Sequence, residues 1–396
     1  MKNLEFFSYL IKTKKVSEIC SEILYLGEQV SLGNIDTQTS DPYSKSVHSL
    51  RLTPSYFKFN LRNKEYRTKA IAQQNWGYSV FLNSVKTIDE YLDFQFKSKY
   101  RSIIRRYVRR LETCFNIEYR LYHTKIEKDE YYFLMEALYN MLTKRFKQRD
   151  EIHKNIGEWD DILERTLPLI ISGKASLFVI YNGDEPIEIS LNYHFDKILF
   201  STISSYDIDY SKFGLGHVEI YKQLEWCLKN DYILFEMGVG GMDYKRRWSN
   251  NIYNYEHRIV YKKPSLGVNL QAAFEINKIR LKEYLKTKKL NTLRDRFFEL
   301  AKKNRSTTLL NNPDFGISKI KDSESSTLIK NLLQVDFKST DYSFLKKYVN
   351  DFLYSTEEHV FDVKAFKVIN KDIFLIKGKN YSQKIMKETE RKSIRF

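Results

Sequence analysis

The amino-acid sequence predicts an α/β (α+β) chain of mixed, mainly antiparallel sheets flanked by helices. Three stretches predict it. Residues 198–248 alternate strand, glycine loop, helix and strand, residues 176–195 read as two strands about a tight turn, and residues 97–111 carry the period of an amphipathic helix. A chain of 396 residues is long for one core and points to two or three structural units.

Along the chain, Leu4, Phe7, Leu10 and Ile11, then Ile19, Ile23 and Leu24, recur at helical spacing and predict helices in the first 50 residues. Residues 33–46 are polar and turn-rich. Residues 55–61 and 78–82 read as strands, with 62–76 as a polar loop between them. In 97–111, Arg101, Arg105, Arg106, Arg109 and Arg110 share one half of a helix drawn at about 100° per residue. Ile103, Ile104, Tyr107, Val108 and Leu111 take the other half, so the bland reading is a core-packed helix with a solvated basic face and the sharper one a phosphate- or membrane-facing surface. Residues 128–149 predict a helix with Tyr132, Met135, Leu138, Tyr139 and Leu142 as its apolar stripe. Residues 159–171 predict another, bent or ended near Pro168 and stopped by Gly173.

Strands 176–181 and 186–195 flank Asn182-Gly183-Asp184-Glu185, a hairpin signal. A strand over 198–205 leads to Gly214-Leu215-Gly216 and a helix from His217 to Lys229. A strand over 232–237 then runs into Gly238-Val239-Gly240-Gly241. A further strand covers 255–261, and 270–303 reads as a long charged helix. Residues 304–326 are a Ser/Thr/Asn-rich linker, and the apolar stretches 360–368 and 373–376 belong to a C-terminal module of unassigned role. The expected domains are 1–125, 126–303 and 304–396.

Lys and Arg number 66 against 50 Asp and Glu, a net charge of +16, which favours an anionic partner such as a phosphorylated cofactor, nucleic acid, anionic lipid or acidic polymer. A merely soluble Lys-rich surface is the plainer alternative. Cys20, Cys114 and Cys227 are widely spaced without a Cys-x-x-Cys pair, which suggests a reducing compartment, neither a disulfide framework nor a zinc site. The seven histidines are scattered, so no metal is expected. No stretch approaches the ~18 uninterrupted apolar residues of a membrane span. The expected location is cytoplasmic, with peripheral contact to an anionic membrane at its inner face as a further option. Nucleophile-elbow, phosphate-loop and zinc-helix motifs are missing from the sequence.

A strand that ends in glycines and turns into a helix presents unpaired N–H groups at the positive end of the helix dipole, which suits a phosphate. Gly214, Leu215, Gly216 and His217 are the expected donors here, and Lys212 and Lys245 the nearby cations. Glu236 lies in an apolar run two residues before a glycine turn. Desolvated there, its carboxylate would have a raised pKa and could accept a proton; otherwise it faces solvent or pairs with Lys245. His217 would sooner cap or pack than catalyse.

The order of Tyr206-Asp207, Tyr210-Ser211-Lys212-Phe213-Gly214, Phe235-Glu236-Met237-Gly238 and Tyr244-Lys245 resembles the acyl-CoA site of the GNAT acyltransferase superfamily. The branch is the one related to CelD/BioF-like acetyltransferases and to the Fem-type peptidoglycan aminoacyltransferases of bacteria. The resemblance covers about residues 78–261. It implies tandem GNAT-like lobes, the first degenerate, plus a small C-terminal extension. It also implies acetyl-CoA or another acyl-CoA as co-substrate, and an amine acceptor such as an amino sugar or cell-envelope precursor. By this resemblance Glu236 is the catalytic base and Tyr244 the proton donor to the leaving thiolate. Ser205, Lys212, Gly214, Leu215, Gly216, His217 and Lys245 hold the cofactor, and Tyr206, Asp207 and Glu188 contact the acceptor. Two departures stand out. Glu236 replaces the usual Asp, and Ser211 stands where relatives carry Arg or Gln. Two alternatives remain open: a Fem-like transferase using aminoacyl-tRNA, and a non-catalytic GNAT-like module binding an acidic partner.

Overall fold

The computed structural model describes residues 4–6, 20–25, 28–30, 47–61, 64–148, 155–240, 243–263, 266–288, 315–319 and 332–387. In chain order the strands and helices are β1 (Leu4–Glu5), β2 (Cys20–Tyr25), β3 (Glu28–Val30), β4 (Val47–Pro54), β5 (Phe57–Leu61), β6 (Tyr66–Phe81), α1 (Ile88–Gln95) and α2 (Ser98–Cys114). There follow β7 (Ile117–His123), α3 (Lys128–Lys147), α4 (Trp159–Ile171), β8 (Ala175–Asn182), β9 (Glu185–Phe195), β10 (Ile198–Tyr206), α5 (Leu215–Lys229) and β11 (Leu234–Val239). The remainder is α6 (Asp243–Trp248), β12 (Asn251–Lys262), α7 (Leu266–Thr287), β13 (Phe315–Lys319), β14 (Leu332–Val335), α8 (Leu345–Thr356), β15 (Lys364–Val368), β16 (Ile373–Lys377) and β17 (Ser382–Lys387). The class is mixed α/β, as expected.

Two compact units divide the chain, and neither is continuous. One comprises residues 1–96, 192–202 and 224–306; the other 97–191, 203–223 and 307–396. These boundaries differ from the consecutive division 1–125, 126–303 and 304–396. Strands β9 and β10 and helix α5 are each shared between the units.

In the first unit the strand order is β1-β4-β12-β6-β11-β10, with a small sheet β3-β2-β5 beside it in sequence. β10 and β11 are parallel over Ile198↔Leu234, Leu199↔Phe235 and Phe200↔Glu236, and no further pair joins them among the described residues. β11 continues antiparallel to β6 as far as Val239↔Gly77. Two sequence expectations fail here. Residues 20–25 are a strand paired with β5 rather than a helix, with Cys20, Ile23 and Tyr25 buried. The supposed polar loop 62–76 is instead mostly β6, a strand paired along β12 from Lys262↔Tyr66 to Asn251↔Ser79. Its long ladder with β12 holds it, and β11 joins the other side only over residues 77–81. Part of the expected N-terminal helix, residues 7–19, lies outside the described residues. Helix α7 covers the opposite face, placing Ala272 and Ile279 on Val47, Ile71 and Ile259. Its buried Glu283 accepts from the Gln74 N–H at 2.8 Å and from Lys286 at 2.7 Å. The expected helix 270–303 starts earlier, and its part beyond 288 is outside the described residues.

The second unit joins β9-β8-β7, helices α2 to α4 and a five-stranded antiparallel sheet β13-β17-β16-β15-β14. The expected linker 304–326 contains β13. Tyr131, Leu134, Met135, Leu138, Met141 and Leu142 form the buried face of α3, while Tyr132 is exposed, a shift from the expected stripe. α4 runs through Pro168 and ends at Gly173, whose φ of +68° suits a left-handed cap. One core unites α2 with the C-terminal segment: Leu111, Cys114, Phe115 and Phe213 share it with Leu345, Val349, Phe352 and Leu353 of α8.

Candidate functional site

At the end of β11, in the first unit, Glu236 is fully buried. Tyr56 donates its hydroxyl to Glu236 Oε2 at 2.8 Å, and the Gly238 N–H donates to Oε1 at 2.7 Å. Gly238 has φ +71°, the left-handed conformation that turns its N–H back onto the carboxylate. Tyr253 faces the same group, and its hydroxyl donates to that of Tyr255 at 3.0 Å. The Tyr253 ring passes so close over Gly77 that a Cβ there would lie 2.2 Å from it, so only glycine fits. Burial pushes the Glu236 carboxyl up to about 7, while hydrogen bonds from Tyr56, Tyr253 and Gly238 and the charge of Lys245 hold it from rising further. Burial first, then the neighbouring carboxylate, keeps Tyr56 and Tyr253 far above the ordinary phenol range, so both stay neutral. A carboxyl poised near neutrality among neutral donors is equipped to exchange a proton.

Lys245 Nζ donates to the Met237 carbonyl at 2.5 Å, anchoring α6 to the strand end, and its charge also acts on Glu236. Tyr244 is half-buried on α6. Gly241 lies outside the described residues.

The glycine loop belongs to the second unit. Gly214 has φ +62°, and a Cβ on it would meet the Tyr107 ring at 2.8 Å. Gly214→Ala should therefore cost about 1–3 kcal/mol from strained backbone and overpacking, read as a lower melting temperature. Two of the four expected donors are already engaged: the Gly214 N–H reaches Ser211 O at 3.3 Å and the His217 N–H reaches Gly214 O at 2.8 Å. Among the described residues no hydrogen bond leaves the Leu215 or Gly216 N–H. Gly216 also opens onto free space, with nothing within 4 Å of where its Cβ would be. His217 packs, its ring stacked 5.7 Å from Tyr107 and edge-on to Tyr100. Lys212 pairs with Asp351 of α8 at 3.1 Å.

Upstream of this loop, Tyr206 lies under the Arg145 guanidinium at 4.6 Å. Asp207 caps the following turn and accepts from Lys346 of α8 at 2.8 Å; Lys346 also reaches Glu185 at 2.6 Å. Burial opposes the charge on Lys346, but Asp207, Tyr210 and Glu185 outweigh it and raise its pKa. A cavity of about 920 Å³ opens here, with Asp207, Asp209 and Lys346 on its floor and Phe344, Tyr348 and Phe361 among its walls. Ser205 is buried, and its hydroxyl has no hydrogen-bond partner among the described residues. Glu188 is wholly buried, and among the described residues neither carboxyl oxygen has a hydrogen-bond partner. Burial, then the charge of Glu219, pushes its pKa well above the usual carboxylate value against the pull of Arg145.

The Acetyltransferase (GNAT) domain family matches residues 98–246. Over these residues the chain is similar to a GNAT-type acetyltransferase domain. The matched residues include the Gly214–His217 loop, which belongs to the second unit, and the β11 end with Glu236, which belongs to the first. No curated protein matches the chain. Similar solved structures include FemX, at 10% identity and a TM-score of 0.37 over 55% of this chain and 66% of that one. L-PGS from Bacillus licheniformis gives 14% identity and 0.34 over 53% and 66%. Saccharomyces cerevisiae N-myristoyltransferase with bound myristoyl-CoA gives 10% and 0.27 over 54% and 64%. The chain thus spans less than two thirds of each of these three.

Tyr56, Tyr253 and Tyr255 around Glu236, and Lys346 behind Asp207, were missed by sequence reasoning. Among 29 tyrosines nothing in the sequence marks these three. Lys346 stands 139 residues from its partner Asp207.

Proposed function

We propose that this protein transfers an acyl group from a CoA thioester to an amine by direct attack. The observation that carries the reading is Glu236, a buried carboxyl held near pKa 7 at the end of a GNAT strand. The amine nitrogen attacks the thioester carbonyl; the C–N bond forms, the C–S bond breaks, and Glu236 takes the proton the amine loses. The thiolate leaves and is protonated, Tyr244 being the donor that the family resemblance suggests. Tyr56 and the Gly238 N–H fix the carboxylate. The Leu215 and Gly216 amides and the open face of Gly216 fit a phosphate-bearing carrier. Lys212, bound to Asp351, contributes less than its position suggested.

The acceptor reading follows from the second unit's cavity. Aromatic walls and the carboxylates of Asp207 and Asp209 suit an amine on a ring, such as an amino sugar of a cell-envelope precursor.

A second reading, donation from aminoacyl-tRNA, draws on the exposed Arg105, Arg106 and Arg109 of α2. One thermal-shift screen separates the two. Acyl-CoA at a hundred times its Kd should stabilise the protein by about 2.7 kcal/mol, and Gly216→Glu should abolish that shift. Stabilisation by tRNA alone would replace the first reading with the second. A response to neither would leave a non-catalytic module.

A further inference from the structure

Helix α7 carries two apolar faces. One, with Val268, Ala272, Ile276 and Ile279, is docked on the sheet of its own unit. The other is bare: Leu266 is 82% exposed, Leu270 72%, Phe274 69%, Leu281 58%, Tyr284 57% and Leu285 40%. On a helical projection these six fall within a sector of about 100°, opposite the docked face. Lys278 and Lys282 border the sector on one side and Arg280 on the other, with Lys288 just past the helix end. No acid enters it: Glu275 pairs with Lys278 at 3.6 Å on the far side of that border, and Glu283 is buried.

We propose that this face of α7 seats the protein on an anionic lipid surface. A helix lying flat in the headgroup layer needs an apolar stripe for the acyl boundary and basic side chains that snorkel to the phosphates on both flanks. α7 has the basic flanks and an apolar stripe in which Asn277 is the polar interruption, and the net charge of +16 adds long-range attraction to an anionic bilayer. A second copy of the chain is a poorer occupant. Packing two such stripes together would bring Lys278, Lys282 and Arg280 of each copy against their counterparts with no acid facing them.

Co-sedimentation with phosphatidylglycerol-containing vesicles, against pure phosphatidylcholine vesicles, tests this. The wild-type chain should bind the anionic vesicles. Leu270→Glu with Phe274→Glu should weaken that binding by about ten-fold or more. Lys278→Glu with Lys282→Glu should reduce it and flatten its salt dependence. All four positions are exposed, so the melting temperature and any acyl-CoA response should not move, which keeps this result separate from the acyl-transfer reading. Absence of vesicle binding, or binding unchanged in the Leu270/Phe274 variant, would overturn the proposal. So would a dimer in lipid-free solution that Phe274→Glu dissociates, which would assign the face to self-association.

Discussion

Glu236→Gln should lower kcat by about 10²–10⁴-fold, the range expected when a positioned general base is removed. The pH profile should change with it. Wild-type activity should rise through a limb near pH 7, where the buried carboxyl loses its proton, and that limb should vanish in the variant. Stability should move the opposite way. The folded chain holds the Glu236 proton up to about pH 7 whereas the unfolded chain releases it near 4.5. Folded Glu236 therefore binds more protons between those values, and stability falls as pH rises across that window. Fully ionised, the buried carboxylate costs about 3 kcal/mol relative to acid conditions. Gln carries no charge and escapes this cost, though it gives up one acceptor for Tyr56 or Gly238. The variant should melt higher than wild type at pH 8 and no higher at pH 4.5, where the lost hydrogen bond is what remains. Loss of activity without this crossover would mean a structural lesion; a variant within about three-fold of wild-type kcat would remove Glu236 from the chemistry.

That Glu236 could be singled out at all reflects its neighbours in sequence: Leu234 and Phe235 before it and Gly238 after it place a carboxylate in a buried strand end. Its surroundings were illegible because they come from Tyr56, Tyr253 and Tyr255, two of them on β12 and one 180 residues away. Helices α2 and α3 and the β8–β9 hairpin were readable because their period and turn residues act over a few positions. Strand β2 was not. Ile19, Ile23 and Leu24 mimic helical spacing, and pairing with β5, set by residues 57–61, overrides that local pattern. β6 hid for a related reason, since its polar outer face removes the alternation that announces a strand. Around the glycine loop, His217 and Lys212 looked like ligand contacts. Tyr107 and Asp351, far off in sequence, have taken them up.

Leu353→Ala should destabilise the second unit by about 2–5 kcal/mol, seen as a lower urea midpoint with unchanged slope. Leu353 is wholly buried in the core that holds Leu111, Cys114 and Phe115 of the second unit. Its carbonyl also accepts from the Cys114 thiol at 3.4 Å. Removing residues 307–396 altogether should be worse, because Phe213 would lose the Tyr354 ring, 5.2 Å away, and α2 would lose its cover. The C-terminal segment is then part of the second unit's core, not an appendage. Its polar contacts make the same point at the loop: Lys346 holds Asp207, Asn350 Nδ2 donates to the Asp209 carbonyl at 3.0 Å, and Asp351 holds Lys212. Together they tether the turn that delivers Gly214 to the start of α5. A truncated chain that kept its helix content and unfolded cooperatively would show that the turn holds itself. Failure of that chain to fold, with Leu353→Ala intermediate between it and wild type, would show that α8 sets the loop's shape.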